Sequence, residues 1–101
     1  MTVEKVVPIE IADPFARKLV GQYLQNREGD IGKLQDALRR DDFETIGVTG
    51  HNLYGSGSAY GLDEVSRIGA NLEKAAEQHD GAGVARLVKE LAEFLRTVEV
   101  T

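Results

Sequence analysis

The 101-residue sequence contains no cysteine, which excludes disulfide bonds, thiolate metal ligands and cysteine nucleophiles together. It also lacks any apolar run near the ~20 residues needed to span a bilayer, and its first residues lack the hydrophobic segment of a signal peptide. No cluster of Lys and Arg stands out and the net charge is −5, so we expect no nucleic-acid partner. These absences predict a cytoplasmic protein that does not associate with membranes.

Proline is also scarce, and its two positions organise the chain. Pro8 and Pro14 both fall in the first fourteen residues, so everything after them is free to be helical. Asp13 and Pro14 are typical of a helix start, because an acceptor side chain precedes a residue that lacks an N–H group. We therefore predict a single domain, 1–101, in which residues 1–13 form an extended segment docked on a helical bundle.

Beyond Pro14, apolar residues recur at helical spacing, and strand-like alternation is absent over any useful length. The first predicted helix ends near Arg40, with a break at Gly29 and Gly32 left open. Three more helices follow, one after Asp41-Asp42, one capped by Asp63 and one from about Ala82. Because short connections favour antiparallel neighbours, we predict an all-α fold, an up-down antiparallel four-helix bundle. The predicted apolar positions are, helix by helix, Phe15, Leu19, Val20, Leu24, Ile31, Leu34 and Leu38; Phe43, Ile46, Gly50, Leu53 and Gly57; Val65, Ile68, Leu72, Ala75 and Ala76; and Val84, Leu87, Val88, Leu91, Leu95 and Val98.

The second predicted helix carries His51 among unusually small residues. Glycine weakens a helix interior by roughly 1 kcal/mol relative to alanine, yet four glycines lie within seven positions of this histidine. The simplest explanation is that another molecule must approach the imidazole closely. Helical spacing places Gly47, Gly55 and Ser58 on the same side as His51 and away from the predicted core. We expect His51 to project outward, the alternative being an exposed histidine with no role.

The residues that begin at His51 resemble the H-x-L-K-G-S signature of histidine-containing phosphotransfer (HPt) domains. They read His51-Asn52-Leu53-Tyr54-Gly55-Ser56, with Gly61 ten residues past the histidine. The resemblance extends over about residues 14 to 98, and it implies a four-helix bundle of the HPt type in which His51 is the phosphoacceptor.

The resemblance also implies partners and chemistry. His51 would take a phosphoryl group from the aspartyl phosphate of a response-regulator receiver domain, or from a hybrid histidine kinase, and pass it to another receiver. Mg²⁺ would belong to the receiver, and we expect no metal or cofactor on this chain, since its carboxylates show no ligand spacing. No nucleotide-binding glycine loop is present, so we expect no autokinase activity. A surface of this kind works as a monomer.

One residue departs from the family pattern, because Tyr54 stands where HPt domains have a lysine. Tyrosine donates one hydrogen bond but brings no positive charge, so the sequence predicts a slower or less stable phosphocarrier. Arg67 and Lys74 are candidates for a replacement charge. Two other functions remain open: a module that binds a receiver without carrying phosphate, and a helical interaction domain with a coincidental motif.

Two further contacts are predicted around the histidine. If the second and third helices form a hairpin around Leu62, Glu73 lies level with His51. Its carboxylate could accept from Nδ1–H and leave Nε2 free to attack, or it could be a solvated glutamate. The receiver is expected to dock over His51, Gly47, Gly55 and Ser58, with apolar help from Ile11 and Phe15. His79, next to Asp80, is expected to interact with a helix C-terminus and to have no chemical role.

Overall fold

A computed structural model of the protein describes residues 7–9 and 11–100, which form four helices and two short strands. Their order is β1 (Val7–Ile9), α1 (Pro14–Arg39), α2 (Phe43–Ala59), α3 (Asp63–Glu77), α4 (Gly81–Thr97) and β2 (Val98–Val100). The predicted all-α helical bundle is confirmed, with two three-residue strands added to it. No helix within the described ranges combines the length and apolar character needed to cross a membrane.

Aspartates start three of the four helices. The carboxylates of Asp13, Asp42 and Asp80 accept hydrogen bonds from backbone N–H groups in the first turns of α1, α2 and α4. Asp63 does not cap α3 as predicted: Leu62 is the N-cap residue, and Asp63 is the first helical residue. Its negative charge is still favourable there, beside the positive end of the helix dipole.

The first helix is continuous over 26 residues, so the break left open at Gly29 and Gly32 does not occur. A Cβ added at either glycine would meet no other atom within 4 Å, which means that neither is required by packing. The packed face of the helix is formed by other residues, of which Val20, Tyr23 and Leu34 are buried.

All four helices contribute to one core. Most of the predicted inward positions are buried or partly buried in it. Phe15 and Leu19 are instead exposed, and Phe43 is only partly buried. Val98 is not on α4 as predicted, because the helix ends at Thr97 and Val98 continues in an extended conformation. The fully buried large side chains are Leu34, Ile46, Leu53, Ile68, Leu72, Leu91, Val65 and Val84.

The two strands run parallel and pair Val7 with Val98 and Ile9 with Val100. This pairing joins the segment before α1 to the end of α4. Residues 1–6 and 10 of the predicted docking segment 1–13 lie outside the described residues. Docking of the whole segment therefore stays a prediction.

Helices α2 and α3 approach each other closely because glycines line their contact. A Cβ on Gly50 would lie 2.7 Å from the carbonyl oxygen of Gly69 and 2.8 Å from the amide nitrogen of Glu73. A Cβ on Gly57 would lie 2.6 Å from the amide nitrogen of Ser66. These distances leave no room for a side chain, so the glycines fix the α2–α3 hairpin and with it the level at which α3 faces the outer residues of α2.

Candidate phosphoacceptor site

The helix that carries His51 begins at a well-formed cap. The Asp42 carboxylate accepts from the Thr45 amide at 3.1 Å and from the Thr45 hydroxyl at 2.6 Å. The hydrogen bond from the Thr45 hydroxyl lowers the pKa of Asp42 most, followed by the bond from the Thr45 amide. The nearby Arg40 charge lowers it further by a smaller amount. His51 follows about two turns later, in the middle of α2. The hydrogen-bonded backbone of the helix interior fixes the position of its Cα atom.

His51 lies on the outer side of α2. Its side chain is 69% exposed, whereas Gly50 and Leu53 on the opposite side are buried. A Cβ on Gly55 would meet nothing within 4 Å, and one on Gly47 would make an ordinary contact of 3.6 Å with the Ala76 side chain. The imidazole therefore projects from a low surface that another molecule can reach.

The hairpin brings Glu73 of α3 against the imidazole. The His51 Nδ1 atom lies 3.3 Å from Glu73 Oε2 and 3.4 Å from Oε1. The turn that sets this register contains Gly61 at φ +72°, a conformation that glycine adopts without strain. Among the described residues, Nε2 of His51 has no hydrogen-bond partner. A proton on Nδ1 can thus be donated to Glu73 while Nε2 keeps its lone pair.

Tyr54 and Ser58 lie on the side of α2 that faces α3, but their polar groups do different things. The Tyr54 side chain is 50% exposed, and its backbone carbonyl accepts from the Ser66 hydroxyl at 2.7 Å. Since that hydroxyl gives its hydrogen to Tyr54, Ser58 is the donor in the 2.9 Å Ser58–Ser66 bond. Ser58 lies two turns, about 10 Å, from the level of His51. Its hydroxyl joins the two helices rather than facing the imidazole.

A shallow groove of about 580 Å³ runs beside His51 between α2 and α3. Phe43, predicted to be core, lines it and stacks on His79 with ring centroids 4.7 Å apart. His79 follows the C-cap of α3 at φ +51°, where it packs on an aromatic ring. The residues that line this groove, called the acidic groove, are Phe43, Glu44, Gly47, Val48, His51, Glu73, Ala76, Glu77 and His79.

Neither predicted substitute for the missing lysine lies in this groove. The Arg67 guanidinium binds Glu64 and Glu90, and these hydrogen bonds raise its pKa. Lys74 lines a separate groove between α3 and α4, which also contains Arg67. The prediction that one of them replaces the lysine charge is therefore wrong, because both lie on the side of α3 that faces α4.

Phe15, one of the two predicted apolar docking residues, lies far along α1 from the level of His51. Tyr23 and Ser56 are joined by a 2.6 Å hydrogen bond, which sets the level of α1 against α2. On antiparallel helices His51, five residues before Ser56, is then level with Glu28. Phe15 is thirteen residues before Glu28, about 20 Å along the helix axis. Its ring is 69% exposed, while Ile11 packs partly on the core.

Sequence reasoning missed the aromatic cluster that joins α1 to α2. Tyr23 is buried, bonds Ser56, and stacks on Tyr60 with centroids 4.4 Å apart. The Arg27 guanidinium lies 4.4 Å from the centre of the Tyr23 ring and pairs with Asp30. The i, i+4 spacing of Tyr23 and Arg27 was the available signal. This cluster fixes one end of α2.

Comparison with known proteins agrees with this geometry. The family model described as "Hpt domain" matches residues 18–99, so the chain belongs to the Hpt domain family. It is 28% identical over 76 residues to "Multistep phosphorelay regulator 1" of Schizosaccharomyces pombe (strain 972 / ATCC 24843). That match covers 75% of this chain and 26% of the relative, so the chain spans about a quarter of that protein. No solved structure matches significantly.

Proposed function

We propose that this protein is a histidine phosphocarrier of a phosphorelay. His51 accepts a phosphoryl group from the aspartyl phosphate of a receiver domain, or from a hybrid histidine kinase, and passes it to another receiver. One observation carries the proposal: an exposed imidazole whose Nδ1 faces the Glu73 carboxylate at 3.3 Å, while Nε2 has no partner among the described residues. Membership of the Hpt family and similarity to a phosphorelay regulator support it.

In this chemistry the Nε2 lone pair of His51 attacks the phosphorus of the acyl phosphate. A P–N bond forms as the P–O bond to the aspartyl carboxylate breaks, and the carboxylate departs with that electron pair. The proton on Nδ1 stays on the ring, and Nδ1–H donates a hydrogen bond to Glu73. The carboxylate stabilises the positive charge that develops on the imidazole. Transfer of the phosphoryl group from His51 to an aspartate of a second receiver follows the same steps in reverse.

The receiver supplies what this chain does not. Phosphoryl transfer depends mainly on in-line positioning and on neutralisation of the transferring group. Among the described residues, no group of three or more His, Asp or Glu side chains could hold a metal ion. In this proposal Mg²⁺ is bound by the receiver, and the protein acts as a monomer without autokinase activity. A cytoplasmic location stays a prediction.

The test uses both histidines of the chain. The protein is incubated with phosphorylated receiver domains and analysed by mass spectrometry under neutral or basic conditions. We expect the label on His51, loss of labelling in His51→Gln, and label retained on His51 at the end point in His79→Gln, whose side chain lines the groove beside His51. Label on another residue, or none with several competent donors, contradicts the proposal.

A second candidate is an Hpt-fold module that binds a receiver without carrying phosphate. Tyr54 favours it, because the lysine charge of the family motif is absent and neither Arg67 nor Lys74 replaces it. Receiver binding by His51→Gln does not separate the two candidates, since docking is expected in both. Acid-labile phosphate on the wild-type protein does separate them.

A further inference from the structure

The acidic groove combines an apolar floor with negative charge at its edges. Phe43, Val48 and Ala76 form the apolar part of its lining, here called the floor, and Val48 is 57% exposed. Three glutamates surround that floor, and neither lysine nor arginine lines the groove. These glutamates are Glu44, Glu73 and Glu77.

The carboxylates of this groove lack cationic partners. Among the residues that the structure describes, Glu44 and Glu77 form no ion pair, and Glu73 faces only the His51 imidazole. Arg67 is held by Glu64 and Glu90 on the far side of α3. Phosphorylation of His51 would add further negative charge at the same place. Lys33 of α1 lines an adjoining groove together with Glu44 and Val48 and forms no ion pair with Glu44. The described lining of the acidic groove itself therefore supplies no lysine or arginine charge to the carboxylates.

We propose that the acidic groove docks a receiver face on which lysine and arginine side chains surround an apolar centre, a proposal that rests on the phosphocarrier function of His51. Those basic side chains pair with Glu44 and Glu77 and supply the positive charge that Tyr54 does not. Complementary charge speeds encounter and rejects partners of the same sign. Receivers with an acidic docking face therefore associate more slowly, so charge contributes to the choice among response regulators.

The experiment measures docking separately from transfer. Association of His51→Gln protein with a purified receiver domain that carries such a basic face is followed by stopped-flow fluorescence at low and high salt. The variant Glu77→Lys reverses one groove charge in the last turn of α3, where lysine suits the helix dipole and leaves the fold intact. The control Glu93→Lys changes the net charge by the same amount at an exposed position of α4.

We expect Glu77→Lys to slow association by about fivefold at low salt, the upper range for one exposed charge pair, and to flatten its salt dependence. Glu93→Lys should change the rate less than twofold. Reversal of a facing lysine on the receiver should restore the rate for Glu77→Lys.

Three results would overturn the proposal. The first is that Glu77→Lys associates with the receiver at the same rate as the unmodified groove. The second is that it associates faster. The third is self-association that sedimentation shows to be lost in Glu77→Lys, which assigns the groove to a second copy of the chain. Failure of the phosphocarrier function gives a different result: docking follows the expected charge dependence, but wild-type His51 takes no label.

Discussion

Glycine occurs on both sides of α2, and the two sides use it for different reasons. On the inner side, Gly50 and Gly57 let the backbone of α3 come so near that a Cβ would overlap it at 2.6 to 2.8 Å. On the outer side, Gly55 faces open space and Gly47 makes only an ordinary contact. The inner glycines allow the close approach of α3, and in the proposed function the outer ones keep the surface around His51 low for a partner. This contrast can be tested by substitution.

The largest effect is expected on the outer side, from a long side chain at Gly55. Gly55→Gln fills the surface that a receiver must cover, and a misplacement of about 1 Å can cost 100-fold in rate. We expect phosphoryl transfer to His51 to fall at least about 100-fold while helical circular dichroism stays nearly unchanged. Gly29→Gln, at an equally open position on α1, should transfer normally. Wild-type transfer by Gly55→Gln would show that the docking face is wrongly assigned.

The inner side should respond in stability instead. Gly50→Ala places a methyl group against the backbone of Gly69 and Glu73, and overpacking of this kind costs about 1–3 kcal/mol. We expect the free energy of unfolding in urea to fall by that amount. A change within about 0.5 kcal/mol would mean that α3 moves away without cost, and the inner glycines would lose their structural explanation.

The contact from α3 to His51 should matter for transfer more than for folding. Glu73→Ala removes the acceptor for Nδ1–H, so we expect transfer to slow by about tenfold, equivalent to about 1.4 kcal/mol. Glu73→Gln should recover part of the rate, because its amide oxygen still accepts the proton. Equal rates for all three proteins, measured as single-turnover time courses, would make Glu73 a solvated glutamate.

A smaller change is expected at Tyr54, three residues after His51 on α2. Restoring the lysine of the family motif adds a screened attraction to the phosphoryl group of about 1 kcal/mol. Tyr54→Lys should therefore speed transfer by several-fold, or lengthen the phosphohistidine half-life if the charge acts mainly on the product. Ala59→Lys adds the same charge about two helical turns from His51 and serves as control. No change in either time course would make Tyr54 neutral.

The smallest effect is expected for Gly55→Ala, which should raise the free energy of unfolding, whereas Gly50→Ala should lower it. Gly55→Ala meets nothing within 4 Å and removes a helix-weakening glycine, so it should stabilise the fold by about 0.5–1 kcal/mol. Urea unfolding of Gly55→Ala and Gly50→Ala side by side gives the comparison directly. Loss of stability in both would remove the distinction between the two sides of α2.

Local signals predicted much of this structure. The aspartates before α1 and α2 and the helical spacing of apolar residues predicted the bundle, whereas the cap that Asp80 provides for α4 was not predicted. Counting outward from Leu62 gave the position of Glu73 opposite His51, because hairpin register needs only a turn and a regular rise. The roles of His51 and the other site residues stay predictions, since they depend on a partner.

Other features depended on contacts that periodicity does not contain. Val98 has the spacing of an α4 residue, but the helix ends before it and it pairs with Val7, ninety-one positions away in sequence. Phe43 begins α2 at the edge of the core, where His79 rather than the interior covers its ring. Arg67 and Lys74 cannot replace the lysine charge because they lie on the side of α3 that faces α4. Long-range packing decided each of these.

The pairing of β1 with β2 also determines how the domain would bear tension. Because the strands are parallel, a pull between the two chain ends draws β1 and β2 in opposite directions along their axes. All hydrogen bonds of the ladder then resist the load together rather than one after another. The load would then pass from β1 to β2 through this ladder rather than through the four helices. The geometry around His51 would thus be mechanically insulated from tethers at either end.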